Sequence, residues 1–400
     1  PIDLLVVNLY PFEATIARTD VSYAEAIEQI DIGGPAMLRA GAKNHTDVTV
    51  VVDPDDYAGV LEEIDAAGET SIDTRARLAA KAFAHTARYD ALIAEFLQRR
   101  EPRADEDFPA QLTLCYDKQQ ELRYGENPHQ RAAFYRSPRA QGASVTTARL
   151  LQGKEPSYNN ILDADTAIEC VRRFAEPCCV IVKHANPCGA AVGTDALQAY
   201  ISAYRTDPTS AFGGIIAFNR ALDAHSARTI IGQQFAEVIV APTFTTDALQ
   251  AFASKAGNVR LLQTGELSGP SPASAPSGAL ELRTVTGGLL LQQRDSAFER
   301  PGADELMVVT RRHPDARELD DMLFAWEVVQ FVKSNAIVLA RERATIGVGG
   351  GQMCRVYSVR IAALKAIDEQ LPINGSVMAS DACFPFRDGI DVAASHGVAA

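Results

Sequence analysis

Cys179-Val180-Ile181-Val182-Lys183-His184-Ala185-Asn186-Pro187-Cys188-Gly189. The stretch begins as an unbroken apolar run, the mark of a strand buried on both faces of a sheet. At its end Lys183, His184, Asn186 and Cys188 arrive together. Its polar end poses a choice between a metal site, a thiol nucleophile and a metal-free acid–base pair, and the strand and helix signals around it place the chain among α/β folds.

The metal reading lacks ligands. A zinc deaminase needs His-x-Glu on one helix and Pro-Cys-x-x-Cys on another. Here Asn186 stands two positions after His184, and Ala191 stands three after Cys188. Adjacent cysteines such as Cys178 and Cys179 rarely reach one tetrahedral ion. A thiol nucleophile needs a base within hydrogen-bond reach, which His184 can supply. Yet Cys188 sits between Pro187 and Gly189 in a small-residue turn, which suits a packed cysteine. Lys183 and His184 remain. Desolvation lowers a lysine's pKa and histidine titrates near neutrality, so the pair suits proton transfer at a nitrogen. Spacing alone leaves open the alternative of a snorkelling strand-end lysine beside a turn histidine.

Outward from this stretch, strand and helix signals alternate. Ile2 to Val7 reads as a strand, and Ser22-Tyr23-Ala24-Glu25 has capping-box spacing before a helix running through Ile30. Gly33-Gly34-Pro35 opens a second helix. Val48 to Val52 is a strand ended by Asp53-Pro54, and a long helix runs from about Thr74 to Arg99. Over the first hundred residues the alternation predicts a parallel sheet covered on its faces. The charged link Glu101 to Asp107 is the best domain boundary, and Ser268 to Ser277 is a low-complexity loop. No short-period repeat is visible, although two α/β lobes flanking a loop permit an ancient duplication.

The chain has 400 residues, 47% of them hydrophobic and 22% charged, enough for two or three domains with cores of their own. Its 51 acidic against 38 basic residues give a net charge of −13, which argues against a general nucleic-acid or bilayer binder. Seven scattered cysteines fit a reducing cytoplasm better than a disulfide framework. No apolar run reaches membrane-span length, and no signal peptide opens the chain. The strand directly after Pro1 and the helix and strand start between Asp391 and Ala400 read as a piece cut from a longer protein.

Further polar clusters stand elsewhere. Arg123-Tyr124-Gly125-Glu126-Asn127-Pro128-His129-Gln130 joins an anion-forking arginine to a glycine that admits close backbone approach. Ser210-Ala211-Phe212-Gly213-Gly214 is a glycine turn leading into the strand Ile215 to Phe218. Gly347-Val348-Gly349-Gly350-Gly351-Gln352 follows a hairpin and precedes a helix from Met353 to Ile367, where backbone amides could hold an anion. It matches neither the dinucleotide fingerprint nor a P-loop. Asn8-Leu9-Tyr10, Asp31 and Lys43-Asn44-His45 fall at strand ends or helix termini, where open sheets gather ligands.

Together these stretches resemble one family: the bifunctional purine-biosynthesis enzyme that joins aminoimidazole-carboxamide ribonucleotide (AICAR) transformylase to IMP cyclohydrolase. The resemblance rests on Asn8 to Phe12, Gln29 to Gly34, Ala42 to His45, Leu122 to Gln130, Lys183 to Gly189, Ser210 to Gly214, Lys333-Ser334-Asn335, Gly349 to Arg355, Ala379 to Asp381 and Phe384 to Asp388, in family order.

The resemblance implies a methylglyoxal-synthase-like parallel-sheet domain over 1–100, lacking its N-terminal part, and a linker over 101–111. Two cytidine-deaminase-like α/β lobes follow over 112–266 and 284–400, separated by a loop over 267–283, with the C-terminal tail missing. It implies formyl transfer from 10-formyltetrahydrofolate, a cosubstrate, to AICAR without a metal. Ring closure of formyl-AICAR to IMP, with loss of water, would follow. His184 would take the amine proton. Lys183 would assist protonation of the folate nitrogen and stabilise the formyl oxygen, and Asn335 would orient the formyl group or substrate. Arg123, Tyr124, Asn160 and Gly213 would hold the ribonucleotide, with Gln352, Arg355, Phe386 and Asp388 toward the folate. Tyr10, Asp31 and Lys43 would serve the cyclohydrolase, an Asp–Lys pair moving its proton, with Asn8 and Asn44 nearby. A cytoplasmic homodimer without nucleic-acid or membrane partners is implied. Departures are the absent phosphate-binding lysine and threonine loop before the first strand, the absent tail arginine that contacts the AICAR phosphate, and Cys383, where relatives often carry phenylalanine.

Overall fold

The computed structural model describes residues 2–98, 108–255, 257–267, 280–295 and 305–400. The link at 101–107 and the loop at 268–277 lie outside the described residues. The chain divides into two compact units, Pro1–Asp117 and Lys118–Ala400.

In the first unit the elements are β1 (Leu4–Val6), α1 (Phe12–Ile16), α2 (Tyr23–Glu28), α3 (Gly33–Lys43), β2 (Thr49–Val51), α4 (Tyr57–Ala67) and α5 (Ile72–Gln98). β1 and β2 pair in parallel, Leu4 opposite Thr49. The Ser22–Glu25 capping box forms in both directions and starts α2. β2 is buried on both faces. Val50 packs with Leu38, Ala42, Ala79 and Ala82, and Val51 with Val60 and Leu78.

The second unit opens with the ribbon β3 (Asp117–Leu122) and β4 (Ala132–Arg136). Then come β5 (Arg149–Gln152), α6 (Tyr158–Val171), β6 (Cys178–Lys183), β7 (Asn186–Val192), α7 (Ala196–Tyr204), α8 (Pro208–Ala211) and β8 (Gly214–Phe218). They are followed by α9 (Ala224–Gln233), β9 (Ala236–Ala241), α10 (Thr246–Ala253) and β10 (Arg260–Gln263). A second ribbon, β11 (Leu280–Val285) with β12 (Gly288–Gln293), precedes α11 (Ala316–Val329), β13 (Ile337–Arg341), β14 (Ala344–Gly349), α12 (Arg355–Asp368), β15 (Val377–Ser380) and α13 (Asp388–Ser395). Leu280 to Arg283, expected within a loop, are therefore strand.

One nine-stranded sheet runs through both expected lobes, in the order β15-β13-β14-β7-β6-β8-β9-β10-β5. It is mixed. β8, β9 and β10 run parallel to one another, while β6 is antiparallel to β7 and β8, and β13 to β14 and β15. The parallel pairing expected over the first hundred residues is seen in β1–β2, whereas here tight hairpins join β6 to β7 and β13 to β14 and make those pairs antiparallel.

Alternate residues of the apolar run serve opposite faces. Val180 and Val182 meet the layer of α6 and α11, while Cys179 and Ile181 meet that of α7, α9 and α10. Ile337, Leu339 and Ile346 extend the second face beneath α12.

The two halves repeat one order, helix–strand–strand–helix–strand, as α6-β6-β7-α7-β8 (with α8 inserted before β8) and α11-β13-β14-α12-β15. They join where β14 lies antiparallel to β7. At that seam the Thr345 hydroxyl accepts from Ala190 N at 2.9 Å, and the Thr206 hydroxyl donates to Thr345 O at 2.7 Å.

The glycine run begins inside the β13–β14 hairpin, and Gly350 to Gln352 lead from it to α12. Gly347 and Gly349 lie inside β14, where a Cβ would stand 2.1 Å from the carbonyl oxygens of Ala362 and Ser358. They are small so that α12 can lie directly on the strand. Gly351 N is itself bonded to the carbonyls of Lys333 and Ser334.

Candidate active sites

In the second unit the sequence-separated clusters meet along one edge of the sheet. Lys183 ends β6, and its ammonium donates to Gly213 O at 2.9 Å and Phe212 O at 3.3 Å. Gly213 has φ +68, and a Cβ there would stand 3.2 Å from Lys183 Nζ, so the left-handed turn and the lysine together call for glycine. Gly213 N donates to Phe235 O at 2.7 Å, tying the turn to the start of β9.

Two residues on, Glu237 accepts from Asn160 Nδ2 at 2.7 Å. Asn160 is 5% exposed and closes the capping box of α6 with Ser157. The neighbouring Asn159 donates to Glu126 O at 3.4 Å, which brings in the Arg123 to Gln130 loop. There the Arg123 guanidinium lies over the Tyr124 ring at 5.8 Å.

On the other side of Lys183 the hairpin turn consists of His184 and Ala185, both at φ 53. The carboxylate of Asp163, on α6, accepts from their successive amides at 3.1 and 2.7 Å. Burial pushes the Asp163 carboxyl's pKa up, against the pull of those two bonds. The His184 side is exposed. Asn186 donates to His184 O at 2.9 Å and accepts from Lys333 N at 2.9 Å. That contact joins the turn to Lys333-Ser334-Asn335. Asn335, at φ 59, donates to Gln352 O at 2.6 Å.

The rim thus runs from Arg123 through Asn160, Glu237, Gly213, Lys183, His184 and Asn186 to Asn335 and Gln352. Glu237 joins it through a contact no motif announced. Only the placement of Glu237 at the head of β9, beside an apolar strand, could have flagged it.

Asn160 and Arg355 are among the assigned residues whose side chains are engaged within the protein. The Asn160 side chain serves the α6 cap and Glu237. Arg355 pairs with Asp381, donates to Ser380 Oγ at 2.6 Å and lies over the Phe384 ring at 5.6 Å. Its guanidinium clamps β15 to α12. Phe386, by contrast, is exposed, and Asp388 opens α13.

The thiol and zinc readings do not fit the donors present. Cys188 is buried, its Sγ donates to Ile181 O at 3.5 Å, and burial pushes its thiol up to about 12. Cys178 and Cys179 face opposite sides of the sheet.

In the first unit Asp31 sits at the start of α3. Its carboxylate accepts from Gly34 N at 2.7 Å and Tyr10 N at 3.4 Å. A Cβ on Gly34 would come within 2.5 Å of that carboxylate, so the close approach needs glycine. Tyr89 hydroxyl accepts from Asp31 N at 2.8 Å and donates to Gln29 O at 2.9 Å. The Tyr10 ring is 56% exposed beside this arrangement, and Asn8 is exposed. Lys43 is the last residue of α3, and Asn44 closes that end by donating to Ala40 O at 2.7 Å. A rise of about 1.5 Å per residue puts the two ends of α3 on the order of 15 Å apart. The expected direct Asp31–Lys43 pair is therefore not formed, because the two residues occupy opposite ends of one helix.

A family model of the AICARFT/IMPCHase bienzyme matches residues 41–365, a stretch that runs from the first unit through the β6–β7 hairpin and nearly to the end of α12. The chain belongs to the AICARFT/IMPCHase bienzyme family. The matched residues include Lys43, Lys183, His184, Asn335 and Gln352, while Tyr10, Asp31, Phe386 and Asp388 lie outside them. Among solved structures, the chain is similar to the "Crystal structure of ForH", with 37% identity over 26% of this chain and a TM-score of 0.23. The chain spans about half of that relative, 53% of its length. Among the described residues, no helix is long and apolar enough to cross a membrane, and no group of three or more His, Cys, Asp or Glu side chains could hold a metal ion.

Proposed function

We propose that the protein transfers a formyl group from 10-formyltetrahydrofolate to AICAR and closes the product to IMP. The observation that carries this reading is the continuous rim that sets Lys183 and His184 beside Gly213, Asn186 and the Lys333–Asn335 segment, in a chain of this family. The AICAR amine attacks the formyl carbon, a C–N bond forms, and the bond from that carbon to the folate nitrogen breaks. His184, exposed at the turn, takes the amine proton. Lys183 neutralises the developing formyl oxyanion and assists protonation of the departing nitrogen. Asn335 orients the formyl group. Arg123 and Tyr124 hold the ribonucleotide, with Gly213 and Asn160 shaping its bed, and Gln352, Phe386 and Asp388 lie toward the folate.

In the first unit, Tyr10 and Asp31 carry ring closure. The Asp31 carboxylate, fixed by two amides, accepts the proton of the attacking amide nitrogen. Lys43, with Asn8 and Asn44, is assigned there by family resemblance alone. The finer fold reading belongs to the same proposal: a methylglyoxal-synthase-like first domain and two cytidine-deaminase-like lobes, in a cytoplasmic homodimer.

The test is formyl transfer by the full-length protein, with formyl-AICAR and IMP quantified separately. His184→Ala should lower formyl-AICAR formation about 10²–10⁴-fold while leaving closure of supplied formyl-AICAR intact. Asp31→Asn should do the reverse. Folded protein that makes neither product would overturn the proposal.

A further inference from the structure

We infer that Asp163 is a positioning residue for formyl transfer, fixing the His184 imidazole through the backbone of the turn that carries it. This rests on the reading that gives His184 the amine proton. The turn is costly for the residues it contains. His184 and Ala185 both hold left-handed φ of 53, a region that side chains with a Cβ avoid and that glycine or asparagine ordinarily fills in a two-residue hairpin. Something must hold them there, and Asp163 meets both amides at once, Oδ2 on His184 N at 3.1 Å and Oδ1 on Ala185 N at 2.7 Å. Hydrogen bonds to an ionised carboxylate are stronger than neutral ones.

The carboxylate is itself well placed to impose geometry. Asp163 is buried on α6, whose first turn is closed by the Ser157–Asn160 box and tied to β9 through Glu237. From the other side Asn186 holds His184 O and reaches Lys333 N. Three backbone atoms of the turn are thereby fixed, and the direction of the His184 side chain follows from the backbone they set.

The second half of the unit supplies an internal control. Asp321, on α11, accepts from Glu342 N and Arg343 N at 3.0 and 2.7 Å, and those residues hold φ of 54 and 53. The backbone device is the same. Its turn lies at the opposite sheet edge, since Arg343 O accepts from N of Val192, the last residue of β7. A purely structural role predicts equal consequences at the two aspartates, whereas positioning predicts unequal ones.

The experiment compares Asp163→Asn with Asp321→Asn in the full-length protein, with melting temperature, kcat and KM measured for each. Both should lose similar thermal stability. Asp163→Asn should lower kcat about 10- to 100-fold, the scale of a displaced reacting group, with KM for AICAR changed less than about threefold. Asp321→Asn should keep kcat within about twofold. Asp163→Glu, which keeps the buried charge and lengthens its reach, should show the same kcat loss and serves where the asparagine variant does not fold. Adding Ala185→Gly, which removes part of the left-handed penalty, should restore part of the kcat lost by Asp163→Asn. Equal kcat in the Asp163 and Asp321 variants, with His184→Ala still inactive in transfer, would overturn the positioning role and leave the function reading standing. Full transfer by His184→Ala would instead remove the function reading on which the role rests.

Discussion

The β6–β7 and β13–β14 hairpins share a backbone and differ in chemistry. Each turn holds two non-glycine residues at positive φ, each is capped by one aspartate from the preceding helix, and each hairpin carries a register shift just before its turn. Both helices begin with a capping box, Ser157–Asn160 and Asp315–Glu318. All of these positions recur at one constant offset along the chain. Yet Lys183-His184-Ala185-Asn186 answers to Arg341-Glu342-Arg343-Ala344. In the second turn Arg343 pairs outward with Glu176 and Asp320, and the methyl of Ala344 stands where Asn186 accepts from Lys333 N in the first. The scaffold makes a rigid turn in either half. Function follows from which side chains stand on it and what the neighbouring edge offers.

If the shared backbone is real, its glycines should fail alike. Gly189 on β7 and Gly347 on β14 face carbonyl oxygens of Ala203 and Ala362, each 2.1 Å from where a Cβ would sit. These are backbone atoms of packed helices and cannot swing aside. Gly189→Ala and Gly347→Ala should each cost about 3 kcal/mol, at the upper end of overpacking penalties. Urea unfolding monitored by circular dichroism reads the loss. A tolerated substitution at one site alone would break the equivalence.

These glycines also mark how far the sequence could be read. The apolar run at 179–182, the helix starts at Ser22 and Gly33 and the polar end at Lys183 were legible, because burial, capping and turn chemistry act on neighbours in sequence. The close packing of Gly347 and Gly349 against α12 was not legible, since a glycine that admits a helix and one that admits an anion look identical in sequence. Asp163 and Asp321 were invisible as a pair. A carboxylate capping a turn 21 to 22 residues away leaves no local signature, and the few identities the halves retain do not stand out as a repeat. The same limit hid Glu237 from the rim and suggested an Asp31–Lys43 pair that the length of α3 prevents.

A second test concerns the seam between the halves. Asp207, which caps α8, is paired with Lys365 of α12 at 2.7 Å and with Ser210 Oγ at 2.6 Å. Burial pushes the Asp207 carboxyl's pKa up, but the bonds to Lys365 and Ser210 outweigh it and hold the pKa below the usual carboxylate range. A folded pKa below the unfolded value means stability that is present above the unfolded pKa, ~3.9, and is lost as the pH falls through the folded one. Lys365→Met should therefore cost about 1–3 kcal/mol at pH 7, less than a fully buried pair because the lysine is partly exposed. The gap from the parent protein should close as the pH falls below about 4. A gap independent of pH would mean that the ion pair does not join the halves.

The smallest effect gives the sharpest comparison. Ser157→Ala and Asp315→Ala each remove the side-chain acceptor of a capping box, and each should cost about 1 kcal/mol. The boxes differ in where their third residue leads. Glu318 turns to Arg312 at 2.7 Å, away from the rim, whereas Asn160 donates to Glu237 at the head of β9. Loosening Asn160 lets that contact wander, and with it the bed proposed for the ribonucleotide. Ser157→Ala should thus raise KM for AICAR about threefold at nearly unchanged kcat, since the turn is still held by Asp163, while Asp315→Ala leaves both constants as they were. Equal stability losses with unequal KM would separate the shared scaffold from the one edge that carries the site. A KM unmoved in both variants would take Asn160 and Glu237 out of the binding surface and leave the rim to begin at Gly213.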